Sequence, residues 1–334
     1  MTSSEPKILI ISTRVDLSTD YVIEKLSKFG AGFIRINTED FPITAESSFR
    51  INHDAANPAW LWSSESQQSF ALNEIRSVWY RRHRLPQLPE SVVKAHAEYS
   101  LRESEWFLRG CIYAAASSSN ISWMSHPTCL QTAESKIYQL TQAKSIGLRV
   151  PSTLISNSPN TIRRFFETNN GRIIAKPLRL GYFDYGERQT SVYTNEVQWD
   201  HLLNDSSLKL APVIFQELVT KRFDIRVTIV GELVFAAAIH SQDIESARID
   251  WRKTNDENLA HSKHELPDSV TERCLELMRT LGLAFGALDL VLTPEGDYVF
   301  LEVNPNGQWV WLEDKLEFPI SESIAAWLLE HSQN

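Results

Sequence analysis

The apolar positions form a continuous run first, then helical and alternating stripes, and each change of period marks an element. Lys7-Ile-Leu-Ile-Ile-Ser12 is a short apolar run of the kind a buried strand needs. Val22, Leu26 and Phe29 then share one face of a helix over 21–29, opened by Thr19 or Asp20 and stopped by Gly30. Phe33-Ile-Arg-Ile-Asn37 returns to a strand, and this strand–helix–strand start predicts a parallel sheet. Ser77-Val-Trp-Tyr80 is a further strand ending in Arg81-Arg82-His83-Arg84, and a long helical pattern follows from about 91 to 116.

Ser117–Asn120 and Pro127 mark a boundary. Beyond it the pattern predicts a helix over 132–146 closed by Gly147, a strand over 152–156, a helix after Pro159 and a strand at Arg172-Ile-Ile-Ala-Lys-Pro177. The chain is strand-rich to about 240. An acidic and polar stretch over 241–266 precedes a helix over 268–281, a hairpin over 286–303 and a closing helix over 321–330.

The hairpin carries the first chemistry. Pro294-Glu-Gly-Asp297 is a turn signal between two apolar runs. With Glu295-Gly296 as a two-residue loop, Pro294 faces Asp297, and stepping back along both strands sets Asp289 opposite Glu302. Asn304, two residues on, points to the same side as Glu302. Directly opposed carboxylates repel. With an amide oxygen beside them they suit a hard cation, and Mg²⁺ commonly shares such ligands with substrate phosphates. Leu288, Leu290, Leu301 and Val303 are expected on the opposite, core side.

Upstream lie groups suited to a nucleotide. Lys136 follows Glu134-Ser135, and Lys176 ends a strand just before Pro177, where an ammonium serves as a point charge for phosphate. Gln216-Glu217-Leu218-Val219 is a strand end able to offer backbone groups to adenine and a carboxylate to ribose. In Phe223–Val230, Asp224, Arg226 and Thr228 share one face while Ile225, Val227 and Ile229 pack on the other, and Gly231-Glu232 reads as a II′ turn. Arg226 above a phosphate site would stabilise charge developing in phosphoryl transfer; the plain alternative is a structural Arg–Asp pair. The Gly-containing loop 179–186 is a candidate phosphate cover.

Bulk properties narrow the classes. The 334 residues exceed one ordinary core. The net charge of −9 excludes the basic footprint of non-specific nucleic-acid binding. Cys111, Cys129 and Cys274 lie far apart without a CxxC, which reads as free thiols in a reducing, cytoplasmic setting. No apolar stretch approaches the roughly 18 residues of a membrane span, so no membrane partner is expected.

The order Lys136, Lys176, Gln216-Glu-Leu-Val219, Asp224-Ile-Arg226, Asp289, Glu302-Val-Asn304 resembles the ATP-grasp superfamily. Val78-Trp-Tyr-Arg-Arg82, Asp250-Trp-Arg252 and Phe318-Pro-Ile-Ser321 are similar to the narrower group of ribosomal-peptide maturases that make microviridin-type graspetides. The resemblance implies an α/β (α+β) ATP-grasp fold: a pre-ATP-grasp N-terminal domain over 1–125, a central domain over 126–215 that docks a leader peptide, and a C-terminal ATP-grasp domain over 216–334. It implies ATP and Mg²⁺, with Lys136, Lys176, Gln216, Glu217, Leu218, Val219 and Asp224 toward nucleotide and Asp289, Glu302 and Asn304 toward metal.

It also implies a reaction. ATP activates an Asp or Glu side chain of a precursor peptide (leader plus core) as an acyl phosphate, and a Ser, Thr or Lys side chain closes the ring. Arg226, Arg252, Asp250 and Arg82 are then the catalytic candidates. Arg82, within the basic segment 81–84, would hold the acidic side chain or acyl phosphate, unless that segment is a solvated strand end. Arg252 would stabilise the tetrahedral oxyanion, and Asp250 would orient it or act as base, unless the two form a loop clasp. Trp309 and Trp311 would line the peptide cleft. His261 and His264 read as a solvated loop. Alternatives are an ATP-grasp ligase that adds amino acids to a protein or peptide, and a nucleotide-gated peptide-binding protein without catalysis. Oligomeric state stays open, a homodimer included.

Overall fold

The computed structural model describes residues 8–53, 59–64, 69–89, 92–179, 181–184, 189–254 and 258–333. The first unit comprises β1 (Ile8–Ser12), α1 (Leu17–Lys28), β2 (Phe33–Asn37), β3 (Ala45–Arg50), β4 (Ala59–Ser64), β5 (Ser69–Ala71), β6 (Ser77–Tyr80), α2 (Lys94–Ala116) and β7 (Ser122–Met124). The apolar run and the βαβ start produce the expected parallel sheet, ordered β2-β1-β6-β7. α1 starts at Leu17, earlier than its apolar stripe, because the Asp16 carboxylate accepts the hydroxyls of Ser12 (2.9 Å) and Thr19 (3.2 Å) and fixes the turn. The antiparallel meander β3-β4-β5 was not foreseen; Trp60, Trp62 and Phe70 point inward from it.

The helical pattern over 132–146 divides at Glu134-Ser135 into α3 (Pro127–Ala133) and α4 (Lys136–Ser145). Ser135 caps α4 by accepting the Tyr138 N–H at 3.4 Å, so Lys136 becomes the first helical residue. Next come β8 (Thr153–Ser156), α5 (Pro159–Thr168), β9 (Ile173–Lys176), β10 (Gly181–Asp184), β11 (Gln189–Val192), β12 (Asn195–Glu196), α6 (Asp205–Lys209) and β13 (Val213–Glu217). Their four-stranded sheet runs β12-β9-β13-β8 and packs Ile173 and Phe215 against Ile162 and Leu202. β10 and β11 pair as a hairpin. Leu180 and residues 185–188 of the expected phosphate cover lie outside the described residues.

The last unit holds β14 (Phe223–Val230), β15 (Leu233–Ile239), β16 (His261–Lys263), α7 (Asp268–Leu281), β17 (Phe285–Leu292), β18 (Tyr298–Asn304), α8 (Val310–Leu316) and α9 (Ile320–His331). The antiparallel sheet is ordered β16-β15-β14-β17-β18. Gly231 at φ 58° makes the tight turn that pairs Val230 with Leu233. His261 is not a loop residue, since β16 was missed in the polar stretch; His264 lies just past the end of that strand. His264 Nε2 sits 2.7 Å from the Tyr298 hydroxyl, and His261 packs on Trp311.

The β17–β18 hairpin departs from the expected loop in two places that cancel. Its loop is Pro294-Glu295-Gly296, with Thr293 facing Asp297 (N–H to O, 2.9 Å) and Gly296 at φ 93°. That displaces the ladder by one residue: Leu290 pairs with Phe300. A bulge between Asp289 and Leu290 restores it, and Asp289 pairs with Glu302 after all. Phe300 and Val303 therefore face the core, while Leu301, expected there, is the extra residue and stays partly exposed.

Two cores tie distant segments together. Leu9, Ile11 and Val78 pack under the meander and α2. On the other side of the first sheet, Ile8 and Ile10 pack with Val22 and Leu26 of α1 and with Ile324 and Leu328 of α9, so the end of the chain closes its beginning. Among the described residues no helix is long and apolar enough to cross a membrane.

Candidate active site

Three neighbouring strands bring the polar face together. Arg226 on β14 pairs in register with Asp289 on β17, which pairs with Glu302 on β18; one step along, Thr228, Ala287 and Asn304 form the next row. β18 is a sheet edge, where unpaired backbone groups are a liability. Gln139 of α4 covers it: its Oε1 accepts the Val303 N–H at 2.9 Å and its Nε2 donates to the Val303 carbonyl at 2.8 Å. That clasp lies between Glu302 and Asn304, and it holds the first turn of α4 over them. Lys136 Nζ then reaches Glu302 Oε2 at 2.9 Å and the Pro177 carbonyl at 3.3 Å.

Lys176, at the end of β9, is buried, and burial pushes its ammonium down to about 8. Arg252 Nη1 lies 3.8 Å from Glu302 Oε1. Burial alone would raise the Glu302 carboxyl, yet the charges of Lys176, Lys136 and Arg252 outweigh it and hold Glu302 far below the usual carboxylate range. Arg226 Nη1 meets both Asp289 oxygens at 2.9 and 3.1 Å. Lys136, Lys176, Arg226 and Arg252 thus face Asp250, Asp289 and Glu302, a cluster with surplus positive charge suited to a polyphosphate.

Asp250 is buried and clasps Arg252 through Nε (2.8 Å) and Nη2 (2.9 Å), while also accepting the Thr194 N–H at 3.2 Å. Burial opposes ionisation here, but the Arg252 hydrogen bonds and charge prevail and lower its pKa. A carboxylate so held orients its arginine and is a weak proton acceptor; the base role does not fit.

The remaining candidates divide. Gln216 is fully buried at the end of β13; its Nε2 donates to Thr153 Oγ1 at 2.9 Å, and its Oε1 has no partner among the described residues. A buried orphan acceptor is costly unless a ligand donor meets it, which fits a nucleotide at this strand end. Glu217 accepts the Ser152 N–H at 3.2 Å. The Leu218 N–H donates to the Arg172 carbonyl at 2.9 Å, so Leu218 has no spare donor for a base; half-buried Val219 follows it. Asp224 is buried and engaged by Lys221 (2.8 and 2.9 Å) and by the Ser241 hydroxyl, so its carboxylate is already committed.

The basic segment 81–84 is not simply solvated. Arg81 is fully buried, whereas Arg82 is half-buried against Gln308. Trp309 is fully buried and cannot line a cleft; Trp311 is half-buried against Trp251. Sequence reasoning missed Gln139 and Arg81, because a buried polar residue within a helix or strand end has no periodic signature.

The metal set passes a test of donor chemistry. Asp289, Glu302 and Asn304 present hard oxygens on one sheet face, and both carboxylates are at present neutralised by cations. Asn304 Oδ1 accepts the Asn306 N–H at 3.0 Å, which fixes its rotamer and leaves a lone pair free. Among the described residues no group of three or more His, Cys, Asp or Glu side chains is placed to hold a metal ion.

Residues 7–127 match the family described as the MvdD pre-ATP grasp domain. No curated protein matches. The structure of macrocyclase MdnC bound with precursor peptide MdnA from Microcystis aeruginosa MRC is similar at a TM-score of 0.85 and 30% identity, covering 97% of this chain and 99% of that one. Macrocyclase MdnB from the same organism is similar at 0.80 and 32%, covering 97% and 99%. A Chryseobacterium gregarium RiPP-associated ATP-grasp ligase, in complex with ADP and a leader and core peptide, is similar at 0.88 and 29%, covering 97% of each chain.

Proposed function

Because the chain belongs to the ATP-grasp macrocyclases of ribosomal peptides, the graspetide-type maturases, we propose that it closes rings in a precursor peptide through acyl phosphates on Asp or Glu side chains. The observation that carries this reading is the row Arg226–Asp289–Glu302, ringed by Lys136, Lys176 and Arg252. A carboxylate is a poor electrophile until one oxygen can leave as phosphate. Lys136 and Lys176 hold the nucleotide phosphates, with the Gln216–Val219 strand end beside the base. Arg226 and Arg252 offset charge as the phosphoryl group moves to the peptide carboxylate and as the tetrahedral centre forms. Asp250 aims Arg252 through its two-point clasp.

Asp289, Glu302 and Asn304 would hold Mg²⁺, which when bound neutralises phosphate charge. With a cation held there, Lys136 would be free to leave Glu302, and Arg226 to leave Asp289, for phosphate. The peptide partner, with leader and core, and the attack by a Ser or Thr hydroxyl or a Lys amine belong to the same proposal. So do the division at 1–125, 126–215 and 216–334 and the cytoplasmic setting, which three unpaired cysteines suit.

Mass spectrometry of a candidate precursor after incubation with enzyme and Mg-ATP tests the reading. One water should be lost per ring, and fragmentation should stop between the joined residues. Addition of free amino acids without such loss would point instead to an amino-acid-adding ligase. Arg252→Ala should keep ADP binding and lose ring formation by roughly 10²–10³-fold. Asp250→Asn should lose less, since the arginine remains.

A further inference from the structure

The first sheet has a topological switch point of its own. The strands on either side of β1 are β2 and β6, so the chain passes from β1 to β2 on one side and returns later to β6 on the other. In open parallel sheets the crevice at the carboxyl ends of such strands is where ligands bind. Here it is lined by Ser12, Asp16, Ser18, Arg81 and Arg82, and a segment of the same chain fills it. Arg81 donates through Nη1 to the Asn306 carbonyl and through Nη2 to the Gly307 carbonyl at 3.3 Å. Its Nε lies 3.9 Å from Asp16 Oδ2. With its amide turned to satisfy both neighbours, Gln308 donates to Ser18 Oγ at 3.0 Å and accepts from Arg82 at 2.6 and 3.2 Å. Arg226 Nη2 adds a bond to the Gln308 carbonyl at 3.0 Å.

The clamped segment begins at a candidate ligand. Asn304 Oδ1 accepts the Asn306 N–H at 3.0 Å, and the Asn304 carbonyl accepts the Gly307 N–H at 3.2 Å. The peptide planes whose carbonyls Arg81 holds therefore belong to the turn that sets the Asn304 rotamer. A fully buried guanidinium is an expensive way to stabilise a core, since an apolar residue of the same volume often serves as well or better. We propose that Arg81 is a positioning residue: from the first sheet it fixes the Asn304–Gln308 turn, and through it the metal-binding orientation of Asn304.

This inference rests on the metal role given to Asn304, and the test separates the two. Mn²⁺ binding to the full chain with ADP, read by electron paramagnetic resonance, and amide hydrogen exchange over 304–308 are measured for the parent, Arg81→Met, Arg81→Lys and Asn304→Ala. Groups that orient metal ligands are typically worth about 10–100-fold in metal affinity. Arg81→Met is expected to weaken Mn²⁺ by at least about tenfold and to speed exchange over 304–308. Should Arg81→Met fail to fold, Arg81→Lys reads the same quantities, since it keeps the charge facing Asp16 but cannot bridge both carbonyls. Mn²⁺ affinity within twofold of the parent in the folded Arg81 variant would overturn the inference, provided Asn304→Ala binds weakly. If Asn304→Ala also binds Mn²⁺ normally, the metal reading itself fails.

Discussion

Lys176 shows at the scale of one residue how the fold sets chemistry. Burial is the main cause of its low pKa of about 8; Glu302 opposes the shift, and Lys136 and Arg252 reinforce it. An unfolded lysine titrates near 10.4. Between about 8 and 10.4 the unfolded chain therefore binds more protons, and this group makes the protein more stable as pH rises through that window. Nucleotide binding should run the other way, because phosphate needs the charged ammonium. Affinity for ADP should fall as pH rises above about 8, with up to one proton taken up per ADP bound. Calorimetry at about pH 8.5 in two buffers of different ionisation heat reads that uptake directly. Lys176→Arg should flatten the profile, since guanidinium stays charged; a parent that takes up no proton and shows a flat profile would remove Lys176 from the phosphate site.

At the scale of elements, the site depends on how closely a turn can approach a sheet. A Cβ at Gly307 would lie 2.4 Å from the Ala287 Cβ and 2.8 Å from Arg226 Nη2. The Asn304–Gln308 turn therefore touches β17 only because that position has no side chain. Gly307→Ala should cost about 1–3 kcal/mol, as overpacking does. It should also weaken Mg-ADP binding, because the turn must withdraw from Arg226. Urea denaturation with and without Mg-ADP checks both; a variant as stable as the parent would mean that the turn relaxes freely. The hairpin beside it was legible for a simple reason. Alternation within each strand separates Asp289 from Leu288 and Leu290, and Glu302 from Val303; the opposition of the two carboxylates across the strands holds because the bulge offsets the longer loop. The loop itself was misread, and the bulge at Leu301 absorbed the difference.

Across the whole molecule, the candidate site draws its groups from several bodies. Lys176 comes from the central sheet, Lys136 from α4, Arg226, Asp289 and Glu302 from the last sheet, and Arg81 from the first. A ligand held by all of them should stabilise the whole chain. At a free Mg-ADP concentration of 100 times its dissociation constant the gain is about 2.7 kcal/mol. Scanning calorimetry should show this as a raised transition that EDTA largely removes. An unchanged transition at saturating Mg-ADP would contradict nucleotide binding in this cleft. The first sheet should melt with the last helix, because α9 supplies Ile324 and Leu328 to the core beneath β1.

What the sequence determined by itself was local or periodic. It yielded the parallel βαβ start, the helix over 268–281, the faces of Phe223–Val230 and the alternation that sets Asp289 and Glu302 apart from their apolar neighbours, because side-chain direction follows from step count along a strand or helix. The ordered motifs from Lys136 to Asn304 added the superfamily, and Val78–Arg82, Asp250–Arg252 and Phe318–Ser321 the narrower family. Only the tertiary structure decided which charges meet. The break at Glu134-Ser135 that puts Lys136 on Glu302, the Gln139 clasp on Val303 and the approach of Arg252 to Glu302 depend on caps and short contacts with no period. Arg81 is the clearest case. In the sequence it is one of four basic residues at a strand end; in the fold it is buried against carbonyls more than two hundred residues away. That contact exists because β6 lies beside β1 and the last unit packs over their ends, an outcome of burying apolar surface across the whole chain, to which no local pattern refers.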